Sequence, residues 1–339
     1  MKKILILFLI GSIAVSTLTG CNGNSSKKNQ AGKTETSAHA STSEEKNYNF
    51  DTISVTYVKS PLNVPSIIEK EKGFFADAFS SYGLNVSYSN LTTGPEQTQA
   101  LASGDIQFLY AVGATSVILA ASNDSDIKIV NTYSRSPDAF CLFTNNDSIT
   151  SPEDLRGKKV AGPKGTILHE LLIAYLATAG MTENDIEFYA MDIPSSQAAL
   201  IAKEVDCALL AGATAYNMEK DGYTVITTGE GLVNATIVTA TSNTFYEENP
   251  ELVQAFVDAQ KTILTYMEDN YDEIMEITAA EAELDADAVK EMYPMYDFNF
   301  KISESDIESM KRTEEFMRVN DMTEKEVDVE SLILDLEFN

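Results

Sequence analysis

Short apolar runs alternate with helical periods along most of this chain, and that alternation restricts it to an α/β architecture. A first series starts near Asp51. Ile53, Val55 and Tyr57 alternate as a strand, and Pro65 opens a helix at a position that tolerates proline. Further strands are expected over 84–91, 106–110 and 127–133, with helices over 96–103 and 113–122. A second series places strands at 140–143, 158–161, 187–191, 207–210 and 224–227, with helices from Thr166, from Pro194 to Lys203 and from Gly212 to Lys220. After a last strand at 237–241 the chain is mostly helical and acidic. Helices of about ten residues between strands imply parallel β-α units and doubly wound sheets.

Residues 158–180, KKVAGPKGTILHELLIAYLATAG, are the most informative single stretch. Gly162, Pro163 and Gly165 make a turn after a short strand, and a helix follows. Its apolar positions Ile167, Leu168, Leu171, Leu172, Tyr175, Leu176 and Ala179 have helical spacing, and Gly180 supplies a stop. Such a unit points backbone N–H groups and a helix dipole into the space beyond the strand, which favours an anion. A nucleotide loop would need G-x-x-x-x-G-K-[ST]. Here Gly157 precedes the strand and Pro163 stands where the lysine belongs, so nucleotide binding is not expected. An ordinary β-α turn, with glycines serving geometry alone, fits the stretch as well.

The 339 residues suffice for two lobes of ordinary size. Acidic residues number 52 against 24 basic ones, for a formal charge of −28, or −30 once Lys2 and Lys3 leave with a leader. That field repels nucleic acid and anionic lipid, and otherwise serves solubility. Residues 1–20 read as an export signal, with a charged end at Lys2 and Lys3 and an apolar core from Ile4 to Val15 too short for a comfortable span. Leu18-Thr19-Gly20-Cys21 resembles the bacterial lipobox, which implies lipidation at Cys21 and anchorage on the extracytoplasmic face of the cell membrane. Residues 21–50 are polar and aperiodic, a disordered tether in which His39 is inert. Cys141 and Cys207, in FCLFT and VDCALL, read as buried thiols, with a disulfide left open.

Several words, in this order, resemble the nitrate/sulfonate/taurine/bicarbonate family of ABC-transporter substrate-binding lipoproteins. They are EKEKGFF at 69–75, QALASGD at 99–105, SPEDLRGK at 151–158, FYEENPELVQAF at 245–256 and the segment 328–336. The resemblance covers about 51–339. It implies a two-lobed periplasmic-binding-protein-like fold of type II, two doubly wound sheets with a ligand cleft between them. Lobe 1 would hold 51–134 plus 236–339, and lobe 2 135–235. The implied function is capture of a small organic anion, such as an aliphatic sulfonate, by cleft closure. Delivery would be to the permease and ATPase subunits of an importer. A monomer without cofactor, metal or catalysis is implied, and no nucleic-acid partner.

The positions matching the family's anion grip are Ser60, Asn63, Thr93, Gly94, Gly113, Ala114, Thr115, Gly165, Thr166, Ser195 and Ser196. Taken singly, Ser60 and Asn63 also fit a turn, and Thr93 and Ser195 also fit plain caps. His169 fits a polar tip near the cleft or a satisfied buried imidazole. Arg135 and Asp138, in YSRSPDAF, fit a hinge ion pair or rim better than ligand contacts. Several relatives carry a bulky aromatic and a proline where this chain has Leu210-Ala211-Gly212-Ala213, and the chain has no Trp, so a more open wall is expected. A taurine-like ligand would need a carboxylate for its amine, with Asp138 and Asp192 as candidates. Two alternatives stay open. A ligand-processing enzyme of pyrimidine-synthesis type would want a His or Cys cluster, and this chain has only two His. A ligand-sensing lipoprotein would pass closure to a signalling partner. Metabolic labelling with a palmitate analogue is expected to mark the wild-type chain and to miss Cys21→Ser; equal labelling of both would overturn lipidation.

Overall fold

The computed structural model describes residues 48–323 and 325–336; the leader, Cys21, His39 and most of the tether region lie outside them. Ten strands occupy the ten expected places: β1 Thr52–Thr56, β2 Asn85–Ser89, β3 Leu109–Gly113, β4 Lys128–Arg135, β5 Phe140–Thr144, β6 Lys159–Gly162, β7 Glu187–Ala190, β8 Cys207–Ala211, β9 Thr224–Thr228 and β10 Thr236–Thr241. The helices are α1 Val64–Lys72, α2 Phe74–Ser80, α3 Gly94–Ala102, α4 Ala114–Ser122, α5 Ile167–Ala177, α6 Ile193–Ile201 and α7 Gly212–Lys220. A helical C-terminal part follows: α8 Asn243–Glu248, α9 Pro250–Asp269, α10 Tyr271–Ala282, α11 Ala286–Met292, α12 Glu304–Val319 and α13 Val329–Leu332.

One five-stranded sheet runs β7-β6-β8-β5-β9. A second group consists of β1-β2 and β3-β10-β4. A parallel bridge between Val55 and Phe108 joins the two pieces of that group, and Thr56 N–H donates to Phe108 O at 3.0 Å. Read through that bridge, its order is β2-β1-β3-β10-β4, the same pattern as in the first sheet. Both sheets depart from the all-parallel expectation at the fourth strand, since β5 and β10 run antiparallel to both neighbours. Apolar periodicity reports burial and says nothing of strand direction. The third strand begins three residues later than expected, at Leu109 rather than Ile106. Within it Ala111 is an extra residue between Tyr110 and Val112 opposite β10, held at φ 80 in a β-bulge.

The family-like words have local physical causes. In EKEKGFF, α1 ends at Gly73 in the left-handed region, φ 78, and α2 follows at once. Glu69 is buried and accepts from Phe75 N–H at 3.1 Å and Tyr88 Oη at 2.7 Å; desolvation pushes its carboxyl up to about 7 despite these bonds. Phe75 stacks on Phe256 of FYEENPELVQAF at 4.4 Å, and Phe256 on Phe108 at 4.1 Å. In SPEDLRGK, Ser151 and Asp154 form a capping box over a single 3-10 turn, Pro152–Leu155. The segment 328–336 docks on β4, with Leu334 N–H donating to Ile129 O at 2.9 Å.

At the end of β4, Arg135 binds Asp306 on α12 through both Nε and Nη2, and Asp297 and two backbone carbonyls through its remaining N–H groups. The pairing considered between Arg135 and Asp138 does not form; Asp138 accepts instead from Thr228 Oγ1 at 3.3 Å. Burial alone would raise the Asp306 carboxyl, but hydrogen bonds from Arg135 and Ser303 overcome it and hold the group below the ordinary carboxylate range. A depressed pKa contributes stability that is complete above the unfolded value, about 3.9, and is lost as pH falls through the folded one. Arg135→Met leaves Asp306 buried without its partner and is expected to cost about 2–4 kcal/mol near neutral pH. The acid limb of its stability–pH curve should also flatten, and urea unfolding across pH checks both effects.

Candidate ligand-binding cleft

Six helices start where six strands end, and they start around one space. Asn63 before α1, Thr93 and Gly94 at α3, Gly113 before α4, Thr166 and Ile167 at α5, Ile193 at α6 and Ala211 before α7 all line one cavity. The arrangement follows from the β-α order, which sends every such helix N-terminus past the carboxyl end of its strand. Thr93 is capped by a box with Glu96, and the Asp192 carboxylate caps α6 by accepting Ser195 N–H at 2.9 Å. α4 and α5 carry no side-chain cap, so their first N–H groups look outward for partners.

Among the described residues that line the cavity, none carries a formal charge. Phe140, Pro163, Ile167, Leu168, Ile193 and Ile237 supply apolar wall. Ser60 Oγ, Asn63 Oδ1 and Gln97 Oε1 are buried there without a hydrogen-bond partner. The potential inside therefore comes from helix dipoles and backbone N–H groups, and its sign is positive.

Of the expected grip, Ser60, Asn63, Thr93, Gly94, Gly113 and Thr166 line the cavity. Ala114, Thr115, Gly165, Ser195 and Ser196 do not. Ala114 packs into the core, and Thr115 Oγ1 turns away to donate to Glu170 at 2.5 Å. Gly165, with φ 72, lies against Leu119 and lines a separate cavity beside His169. Ser195 gives its backbone N–H to the Asp192 carboxylate, and Ser196 donates its Oγ to Asp192 O at 2.8 Å. The Thr166 hydroxyl donates to Pro163 O at 2.7 Å, within its own turn. Gln97 was not foreseen, although it sits one helical turn after Thr93; Ser116 and Ala111 were not foreseen either.

His169 is a satisfied buried imidazole. Its Nδ1 accepts Gly165 N–H at 3.3 Å, which leaves Nε2 to donate to Glu183. Burial lowers its pKa further than Glu183 raises it, so the ring is neutral at pH 7. Cys141 and Cys207 are free and buried, and desolvation pushes both thiols up to about 12. Neither Asp138 nor Asp192 lines the cavity. Among the described residues no group of three or more His, Cys, Asp or Glu is arranged to hold a metal, and no helix is long and apolar enough to cross a membrane.

The elements around the first sheet group touch those of the second across the cavity. Ala213 N–H donates to Pro61 O at 3.1 Å, and Ser116 Oγ to Gly165 O at 2.8 Å. Thr115 and Thr313 both donate to the buried Glu170, whose carboxyl is raised by desolvation against the pull of those two bonds. Tyr216 and Lys220 reach Glu291.

A family model described as NMT1/THI5 like matches residues 61–274. The chain belongs to the NMT1/THI5-like family. Similar members include a Bacillus subtilis (strain 168) protein named for binding aliphatic sulfonates, 24% identical over 79% of this chain and 82% of that protein. The taurine-binding periplasmic protein of Escherichia coli (strain K12) is 29% identical over 53% of this chain and 58% of that protein. The alkanesulfonate-binding protein SsuA from Xanthomonas axonopodis pv. citri, solved with MOPS, superposes with a TM-score of 0.77 at 19% identity, covering 85% of this chain and 99% of the other. The fold of this NMT1/THI5-like chain is accordingly the two-lobed α/β fold of periplasmic binding proteins.

Gly212 tests the contact across the cavity. It lies at φ 58, and a Cβ there would meet Pro61 O at 1.6 Å. Gly212→Ala is therefore expected to break the Pro61–Ala213 bond and weaken ligand binding by about tenfold or more, alongside a stability loss of about 1 kcal/mol. Calorimetric titration beside thermal melting separates the two effects.

Proposed function

We propose that this protein is the substrate-binding component of an ABC importer and captures a small organic anion, such as an aliphatic sulfonate, by closing two lobes over it. One observation carries this reading: an uncharged cavity ringed by six helix N-termini. Fixed dipoles stabilise an anionic head without an ion pair, and the apolar wall receives a short hydrocarbon tail. The names of the Bacillus and Xanthomonas relatives support the same ligand class. The lobes would be 51–134 with 236–339, and 135–235, turning about the β4–β5 and β9–β10 connections. Anchorage through a lipidated Cys21 and docking on a permease with its ATPase complete the proposal, the protein acting as a monomer. An enzymatic reading lacks a cavity-lining acid, base or thiol, since His169, Cys141 and Cys207 all stand elsewhere.

A taurine-like specificity fits less well, because an ammonium would enter a positive potential with no carboxylate on the wall. Titration of the mature chain, purified in detergent, with ethanesulfonate and with taurine compares ligands of nearly one shape. Ethanesulfonate is expected to bind about tenfold tighter or more. Equal or tighter taurine binding would overturn this assignment of the wall.

A further inference from the structure

Asn63 is a polar group of the cavity whose hydrogen-bonding sense is fixed. Its Nδ2 donates to Val58 O and to Ser60 O, each at 2.9 Å. Turning the amide over would set Oδ1 against those two carbonyl oxygens and lose both bonds, so Oδ1 is the atom left for a further partner. The residue lines the cavity, is only 1% exposed, and its Oδ1 has no partner. Gln97, 3% exposed, adds a second unpartnered oxygen among the lining residues, and the Ser60 hydroxyl is free to serve either way.

A bare sulfonate, sulfate or carboxylate offers only acceptor oxygens at neutral pH and cannot meet an acceptor. Asn63 Oδ1 has no partner within the protein; a ligand without a donor leaves it unpaired, and two facing oxygens repel. The uncapped first turns of α4 and α5 provide the donors an anionic head needs. The cavity thus presents an unpartnered acceptor as well as uncapped helix N-termini, with apolar wall from Ile167 and Ile193.

We infer that the ligand carries a neutral hydrogen-bond donor, a hydroxyl or an N–H, a few atoms from its anionic head, and that Asn63 Oδ1 receives it. This rests on the anion reading above and narrows it to hydroxylated or amide-bearing organic anions. An ammonium would supply donors too, but its charge meets the dipoles without a counter-ion, and that desolvation outweighs one hydrogen bond.

Ethanesulfonate and 2-hydroxyethanesulfonate differ at the end remote from the sulfonate, where one has hydrogen and the other a hydroxyl. Calorimetric titration of the mature wild-type chain in detergent with both ligands tests the inference without a variant that risks the fold. The hydroxylated ligand is expected to bind about tenfold to a hundredfold tighter. Affinities within twofold of each other, or a preference for ethanesulfonate, would overturn the donor requirement and leave the anion reading standing. Binding of neither would overturn the anion reading, and this inference with it.

Discussion

Backbone hydrogen bonds on both edges of β10 join the two ends of the chain's path. That strand returns after the whole second series, inserts antiparallel between β3 and β4, and has all six residues buried. Without it the first series would present an unpaired β3 edge and an isolated β4, and the C-terminal helices would have no fixed place to start. The Arg135 cluster sits at the rim of the same pairing, where Thr236 lies opposite Arg135 in the ladder. In the other sheet β5 holds the equivalent fourth position. Two like sheets set their carboxyl ends towards one space, and the site is a consequence of that placement.

The electrostatics of the cavity run against those of the whole chain. A formal charge of −28 repels an approaching anion at long range, but screening confines that repulsion to about 8 Å at physiological salt. Inside, fixed N–H groups act at contact distance in a partly desolvated space, where each is worth more than a distant surface charge. In the proposed capture, holding an anion with dipoles in place of lysine or arginine also avoids a desolvated ion pair that would bind too tightly to release. A binding protein that delivers its ligand needs release as much as capture.

Much of this was legible in the sequence. All ten strands and the helices around the cavity stand near their expected places, because burial on a repeating β-α plan writes itself into apolar spacing. Strand direction did not show, since β5 and β10 look like their parallel neighbours in composition. The bulge at Ala111 was also silent; alanine carries none of the glycine signal that a positive φ normally leaves. Among the grip residues, hydroxyls proved the least readable. Thr93, Thr115 and Thr166 share one chemistry, yet one caps a helix, one holds Glu170 and one closes its own turn. Only tertiary contacts separate those roles. Asn63 looked like a turn residue and is one through its Nδ2, while its Oδ1 is left unpartnered.

The bond between Ala213 N–H and Pro61 O is made wholly of backbone, and Gly212 needs only to lack a side chain. The cavity wall, by contrast, is built from side chains such as Asn63, Gln97 and Ile193. The contact across the cavity and the character of its wall are thus encoded in different parts of the polypeptide. Substitutions on the wall need not disturb that contact, so a lineage with this architecture can change what the cavity accepts one wall residue at a time while keeping the bond that spans it.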